Sequence, residues 1–307
     1  MKLSIVTTLY LSESYINQFY KRLLNTITNL NIVNYEIIFV DDHSPDNSLN
    51  LACEIAKKDN QVRVIELSRN FGHHKAMMTG LKNASGDKIF LIDSDLEEKP
   101  EYLKNFISAM NENDSDVVFG VQDKRKGKRF ERLTGKIFWK SLKKITGLPF
   151  KENQSTIRLM KKSYVDALTL HNEHELFIAG LWLITGFKQD SIYISKSYRN
   201  KSTYSFNLKV SLLINSITSF SNKPLIGIFY VGLIIFLLSL VYSFYLIYSK
   251  LFLMQSLPGW TSVMASLWFL GGLTISFIGI VGIYLSKIFI ETKNRPYTII
   301  KKIHEYK

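Results

Sequence analysis

Lys88-Ile89-Phe90-Leu91-Ile92-Asp93-Ser94-Asp95-Leu96-Glu97 is the stretch on which the fold of this chain turns. Ile89 to Ile92 is a short apolar run of the kind that forms a buried strand. It stops at three acids, Asp93, Asp95 and Glu97. Carboxylates crowded at the mouth of a buried strand repel one another and lose hydration. A hard divalent cation relieves both effects: Mg²⁺ or Mn²⁺ takes oxygen ligands, commonly one or two carboxylates plus substrate phosphates. Ligands of open α/β sheets bind at the carboxyl ends of strands. The alternative is a solvated acidic turn ahead of a helix beginning at Pro100.

On either side of this stretch, residues 1 to about 122 alternate between two patterns. Leu3–Thr8, Glu36–Val40, Val62–Leu67, Ile89–Ile92 and Val117–Val121 are runs of Val, Ile, Leu and Phe. Glu13–Asn29, Ser48–Lys58, His74–Ala84 and Pro100–Asn111 carry helical patterns, with Pro100 and Glu101 suited to a helix start. Strands alternating with helices predict an α/β, doubly wound, mostly parallel sheet. The second strand also runs into acids, Val40-Asp41-Asp42-His43-Ser44-Pro45-Asp46. Asp46 or Ser48 suits a helix cap. Capping leaves Asp41 and Asp42 unexplained, and a carboxylate there can accept from a base N–H or a ribose hydroxyl. After the third strand, Gly72 permits close backbone approach, and Arg69 or Lys75 can meet a phosphate. His73 and His74 read as surface residues.

The chain carries 307 residues, a net charge of +13 and 46% hydrophobic residues. That basic excess points to an anionic partner: nucleic acid, a membrane surface or a phosphorylated substrate. Cys53 is the single cysteine, which excludes an intrachain disulfide and a Cys-based metal cluster. Met1–Val6 is too short an apolar run for a signal peptide, so the N-terminal domain is expected to be cytoplasmic.

Residues 123–151 interleave Lys124, Arg125, Arg129, Arg132, Lys136 and Lys140 with Phe130, Leu133, Ile137 and Phe138. At helical spacing this makes one basic and one apolar face, suited to anionic lipid. Two uncharged runs follow, Leu225–Ser249 and Leu251–Ser286, interrupted by Lys250. At about 1.5 Å per residue, Leu225–Tyr248 spans ~36 Å, enough to cross a ~30 Å hydrocarbon core. Ser262–Ser286 is similar. Spans at about 225–248 and 262–286 predict a two-helix transmembrane hairpin with Trp260 near the turn. Lys209 and Lys223 before it, and Lys287, Lys293, Arg295, Lys301 and Lys302 after it, put both flanks on the cytoplasmic side. Two spans disfavour nucleic acid as the partner. The expected organisation is a catalytic domain over 1–205, an interfacial amphipathic segment over 206–223, the hairpin over 224–287 and a cytoplasmic tail over 288–307.

Several motifs together carry a family resemblance: Phe39-Val40-Asp41-Asp42-His43-Ser44, Ser68-Arg69-Asn70-Phe71-Gly72-His73, Asp93-Ser94-Asp95-Leu96, Lys201-Ser202-Thr203-Tyr204, Ile217-Thr218-Ser219-Phe220-Ser221 with Lys223-Pro224, and Asn294-Arg295-Pro296-Tyr297. In that order, over nearly the whole chain, they resemble family 2 glycosyltransferases of the polyprenyl-phosphate type. The resemblance implies a GT-A (Rossmann-like) domain and a nucleotide diphosphate-sugar donor. It implies inverting transfer to polyprenyl (undecaprenyl) phosphate at a bacterial inner membrane. Asp42, assisted by Asp41, would meet the base, with Arg69 and Asn70 also on the donor side. Asp93, Asp95 and Glu97 would hold Mg²⁺ or Mn²⁺, and Arg132 would meet the lipid phosphate. A homo-oligomer is expected. The other acceptor in view is a different membrane-proximal glycan or lipid.

The chain departs from the family pattern at Thr8-Leu9-Tyr10-Leu11, at Gln122 where arginine is usual, at Asn153-Gln154-Ser155-Thr156-Ile157-Arg158 and at Asn200. The third of these lies on the acceptor side, so the departures bear on acceptor and sugar preference. None of the motifs specifies the sugar.

Overall fold

The computed structural model describes residues 1–122, 143, 146–173, 177–196, 218, 221–252 and 259–306. The chain divides into two compact units, Met1–Lys209 with Arg295–Lys307, and Val210–Asn294.

The first unit is built on one eight-stranded sheet. Its strands are β1 (Leu3–Leu9), β2 (Tyr35–Asp41), β3 (Val62–Leu67), β4 (Lys88–Leu91), β5 (Val117–Gln122), β6 (Gln154–Lys161), β7 (Gln189–Ile194) and β8 (Ile300–His304). The order across the sheet is β7-β5-β6-β4-β1-β2-β3-β8. β4, β1, β2 and β3 run parallel, as do β5 and β7. β6 is antiparallel to both of its neighbours, and β8 is antiparallel to β3. The mostly parallel α/β architecture is therefore present, with two reversals that the apolar runs do not announce.

Neither segment carries an uninterrupted apolar run. β6 reads Gln-Ser-Thr-Ile-Arg-Leu-Met-Lys, and its apolar alternation is broken by a charged residue at its centre, Arg158. β8 reads Ile-Lys-Lys-Ile-His, an exposed edge strand marked by charge rather than apolarity. Lys301 donates to Glu66 Oε1 and His304 lies 3.0 Å from Glu66 Oε2, so polar contacts fasten it to β3. The tail expected after the second apolar run is thus in part the last strand of the sheet.

Four helices connect the parallel strands: α1 (Ile16–Asn29), α2 (Ser48–Lys58), α3 (His73–Lys82) and α4 (Leu103–Glu112), the last preceded by a 3₁₀ turn over Pro100–Tyr102. Two shorter ones, α5 (Lys162–Leu168) and α6 (Ile178–Ile184), follow β6. α1 buries Ile16, Phe19, Leu23 and Ile27, an i, i+3/i+4 stripe, against the sheet. α3 packs tightly on the sheet. A Cβ at Gly80 would stand 2.5 Å from Val6 Cγ1 and 2.9 Å from Val40 Cγ2. We expect Gly80→Ala to destabilise the domain by about 1–2 kcal/mol, overpacking outweighing the gain in helix propensity. A lowered thermal unfolding midpoint checks this, and an unchanged midpoint would show that α3 can slide.

The second unit carries α7 (Lys223–Phe252) and α8 (Trp260–Thr292). Within α8, Phe269–Thr292 is the one segment among the described residues long and apolar enough to cross a membrane; in α7 the corresponding segment, Lys223–Ser239, is shorter. Phe229, Tyr230, Leu237, Leu238, Ile275 and Leu285 are exposed rather than packed into a protein core. The interfacial segment expected over 206–223 falls mainly outside the described residues.

Candidate active site

Three strand ends converge. β1 lies between β4 and β2, with Val6 beside Leu91 and Leu9 beside Asp41. Asp41 is the last residue of β2, and Asp93 follows β4 by two residues. The acids at the end of β2 and those beyond β4 therefore flank the end of one central strand. The carboxyl ends of parallel strands are where open α/β sheets bind ligands.

Of the eight non-glycine residues with positive φ among the described residues, three stand here. Leu11, His43 and Leu96, one in each of the three loops leaving β1, β2 and β4, have φ of 53°, 53° and 60°. Left-handed conformations in non-glycine residues persist where surrounding contacts over-determine them, and they cluster at functional sites. Ser94 supplies one such contact. Its buried hydroxyl donates to the Thr8 carbonyl and lies 3.1 Å from Ser12 Oγ. Ser94 thus points into the protein and pins the loop to β1. Asp93 and Asp95 are each partly exposed on either side of it.

Asp41 and Asp42 are both buried, with different partners. Asp42 Oδ1 accepts the Phe71 N–H at 2.7 Å and Oδ2 accepts the Gly72 N–H at 2.9 Å. It therefore holds the loop before α3, and Gly72, at φ 97°, supplies the backbone turn. Arg69 and Asn70 lie exposed in that loop, with the Arg69 guanidinium 4.2 Å from the Phe71 ring centroid. Burial raises the Asp42 carboxyl, and the two backbone N–H groups oppose the rise. Asp46, by contrast, serves the loop itself. It accepts from Ser48 N and Glu13 N and from the Ser44 and Ser48 hydroxyls, which hold it down at about 2.

Asp41 is pushed up to about 6, chiefly by burial and further by Glu66, with the Ser44 N–H opposing. A carboxyl whose pKa is higher folded than unfolded binds extra protons in the folded state between the two values. Its contribution is therefore favourable in acid and is lost as pH rises from about 4 through about 6. Asp41→Asn should accordingly stabilise the protein by about 2 kcal/mol at pH 7.5 and by little at pH 4. Paired unfolding midpoints at the two pH values check the sign.

Around Asp93 the acids are densest. Burial, then Glu98, Asp95 and Glu97, push its carboxyl well above the ordinary range, while Lys196 opposes them. Glu98 is fully buried; it accepts from Ser155 Oγ and from Lys196 Nζ at 3.1 Å. Lys196 Nζ also lies 3.9 Å from Glu97 Oε2. His73, read from sequence as a surface residue, is 46% exposed yet belongs to the site: Nε2 lies 3.4 Å from Asp93 Oδ1 and Nδ1 3.0 Å from Thr8 Oγ1. Desolvation, with the positive charge of His74 and Lys196, lowers its pKa below the ordinary histidine value. The Gly72-to-helix step before it was the available signal. Glu98 and Lys196 had none, because they meet only through the sheet.

Among the described residues no three of His, Cys, Asp and Glu converge as a protein-only metal cage. The oxygen donors of Asp93 and Asp95 nevertheless suit a hard cation that completes its shell with phosphate oxygens and water. The repulsion that raises Asp93 is what such a cation would relieve. Arg132, most of the basic 123–151 stretch and Lys201–Tyr204 lie outside the described residues.

The mixed, mostly parallel α/β sheet with acids at its central strand ends is the GT-A-like arrangement that the family resemblance leads one to expect. Residues 4–169 match the family described as Glycosyl transferase family 2, and the chain belongs to that family. It is 50% identical over 304 residues to a protein of Mycobacterium tuberculosis named among "Putative glycosyltransferases", covering 99% of this chain and 89% of the relative. It is 33% identical over 306 residues to the bactoprenol glucosyl transferase of Shigella phage SfII, covering 99% of each. A crystal structure of S. aureus TarS 1-349 in complex with UDP aligns with 71% of this chain and 65% of its own, at 21% identity and a TM-score of 0.48. The protein is a glycosyltransferase.

Proposed function

We propose that the chain transfers a sugar from a nucleotide diphosphate-sugar to a polyprenyl phosphate such as undecaprenyl phosphate, with inversion. The observation that carries this reading is the convergence of Asp41 and Asp42 with Asp93 and Asp95 on the end of β1. The full-length likeness to a protein named bactoprenol glucosyl transferase supports the acceptor class.

In this reading Asp41, Asp42, Arg69 and Asn70 form the nucleoside side. Asp42 acts through the Phe71–Gly72 backbone that it holds. Asp93 and Asp95, with Glu97 beside them, would hold Mg²⁺ or Mn²⁺. Bound there, the cation would supply charge neutralisation for the departing diphosphate. A phosphate monoester has its second pKa at about 6, so it is largely dianionic at neutral pH and attacks without a strong general base. Its oxygen bonds to the anomeric carbon as the bond to the diphosphate oxygen breaks, and the nucleoside diphosphate leaves. Attack from the opposite face inverts that carbon. What the protein itself contributes is orientation, which in favourable geometry amounts to ~7–11 kcal/mol. Arg132 is assigned to the lipid phosphate on the family resemblance.

α7, with 30 residues, and α8, with 33, are read as the two membrane spans: at about 45 and 50 Å each has the length to cross a bilayer, and Phe269–Thr292 of α8 has the apolar composition as well. Their exposed Phe, Leu and Ile side chains favour lipid over water as the surrounding medium. The flanking lysines and arginines support a reading in which the catalytic domain lies on the cytoplasmic side of a bacterial plasma membrane.

The test is to incubate the purified full-length protein with Mg²⁺ or Mn²⁺, undecaprenyl phosphate and a panel of nucleotide sugars, and to detect the product by mass. A glycosylated lipid phosphate from one donor is expected. Transfer only to a preformed glycan or to another lipid would overturn the acceptor assignment.

A further inference from the structure

Lys196 stands out from the rest of the site. It follows β7, on the far side of the sheet order from β2, and no step of the proposed transfer uses it. Its ammonium nevertheless sits among the acids, 3.1 Å from Glu98 Oε1 and 3.9 Å from Glu97 Oε2. Its side chain is 22% exposed, whereas that of Glu98 is 0% exposed. A fully buried carboxylate is unfavourable unless paired. Glu98 Oε2 has no hydrogen-bond partner among the described residues, so the pairing rests on Oε1. The fold thus retains a buried acid whose strongest partner is a lysine held beside the cluster of Asp93, Asp95 and Glu97.

We propose that Lys196, anchored by Glu98, is the built-in counter-charge of the acid cluster, and that a divalent cation entering at Asp93 and Asp95 competes with it. Two cations near one group of carboxylates repel each other, and a ligand-free site without either would leave its acids uncompensated. Lys196 keeps the empty site assembled and lowers its affinity for free metal. Cation binding is thereby favoured when a diphosphate arrives to add negative charge. This rests on the reading of Asp93 and Asp95 as cation ligands.

Calorimetric titration of Mn²⁺ into the full-length protein in detergent, without nucleotide, tests it. Lys196→Ala should bind Mn²⁺ about tenfold more tightly than wild type, since a positive charge that acts on Asp93 has been removed. Lys196→Arg should stay near wild type, and methylammonium added to Lys196→Ala should weaken its Mn²⁺ binding again. Should Lys196→Ala fail to fold with Glu98 unpaired, Lys196→Ala/Glu98→Gln should bind more tightly than Glu98→Gln alone. Equal or weaker binding on removing Lys196 would overturn the competition while leaving the cation site standing. If Mn²⁺ binds neither wild type nor the alanine variant, or binds Asp95→Asn unchanged, the cation site itself falls and the competition with it.

Discussion

Asp95→Asn should lower sugar transfer by about 10³-fold, equivalent to about 4 kcal/mol of lost transition-state stabilisation. The substitution keeps the volume of the side chain and removes one negative charge from the crowded loop after β4. Asp95 is partly exposed, and its Oδ1 accepts the Glu97 N–H at 3.0 Å, a contact an amide oxygen can also make. The fold should therefore survive, with an unfolding midpoint at or slightly above wild type because Asp93 loses a repelling neighbour. Transfer to undecaprenyl phosphate, measured beside the unfolding midpoint, separates the two effects. Near-wild-type turnover in a folded Asp95→Asn protein would remove this carboxylate from the chemistry.

Arg158→Ala should have the largest effect on stability, a loss of about 3–5 kcal/mol. Arg158 lies in β6 and is fully buried, its guanidinium 3.0 Å from the Trp182 ring centroid. It donates through Nε to the Thr156 carbonyl at 3.2 Å and through Nη2 to the Ser155 carbonyl at 3.4 Å. Burial lowers it to about 9, with Tyr164 and Glu98 opposing, so it remains charged at neutral pH. Truncation leaves a cavity against Trp182 and strips the buried Glu98 of a nearby positive charge. Arg158→Lys should recover little, since an ammonium cannot stack as a plane on the indole. The yield of folded protein and the unfolding midpoint of both variants check this. Full stability in Arg158→Ala would mean that the β5–β6–β7 half is held by its apolar contacts alone.

The parallel half of the domain is written in the order of the residues. β1 to β5 and α1 to α4 are legible there because an apolar run or a helical stripe involves near neighbours in the chain, and burial demands that pattern wherever the chain goes. The acids at 41, 42, 93 and 95 are legible for the same reason: each pair directly follows an apolar run. The remaining features exist only once the sheet has assembled. β6 reverses direction around a buried arginine, and β8 returns to the sheet edge on the strength of Glu66, Lys301 and His304. His73 lies 3.4 Å from Asp93 at the start of α3, where Gly72, at φ 97°, turns the chain into the helix. Glu98, beyond the end of β4, and Lys196, beyond the end of β7, meet only once β6 and β5 have been laid between those two strands in the sheet. Such contacts depend on which strand lies beside which, and that follows from packing the whole sheet at once rather than from any local pattern.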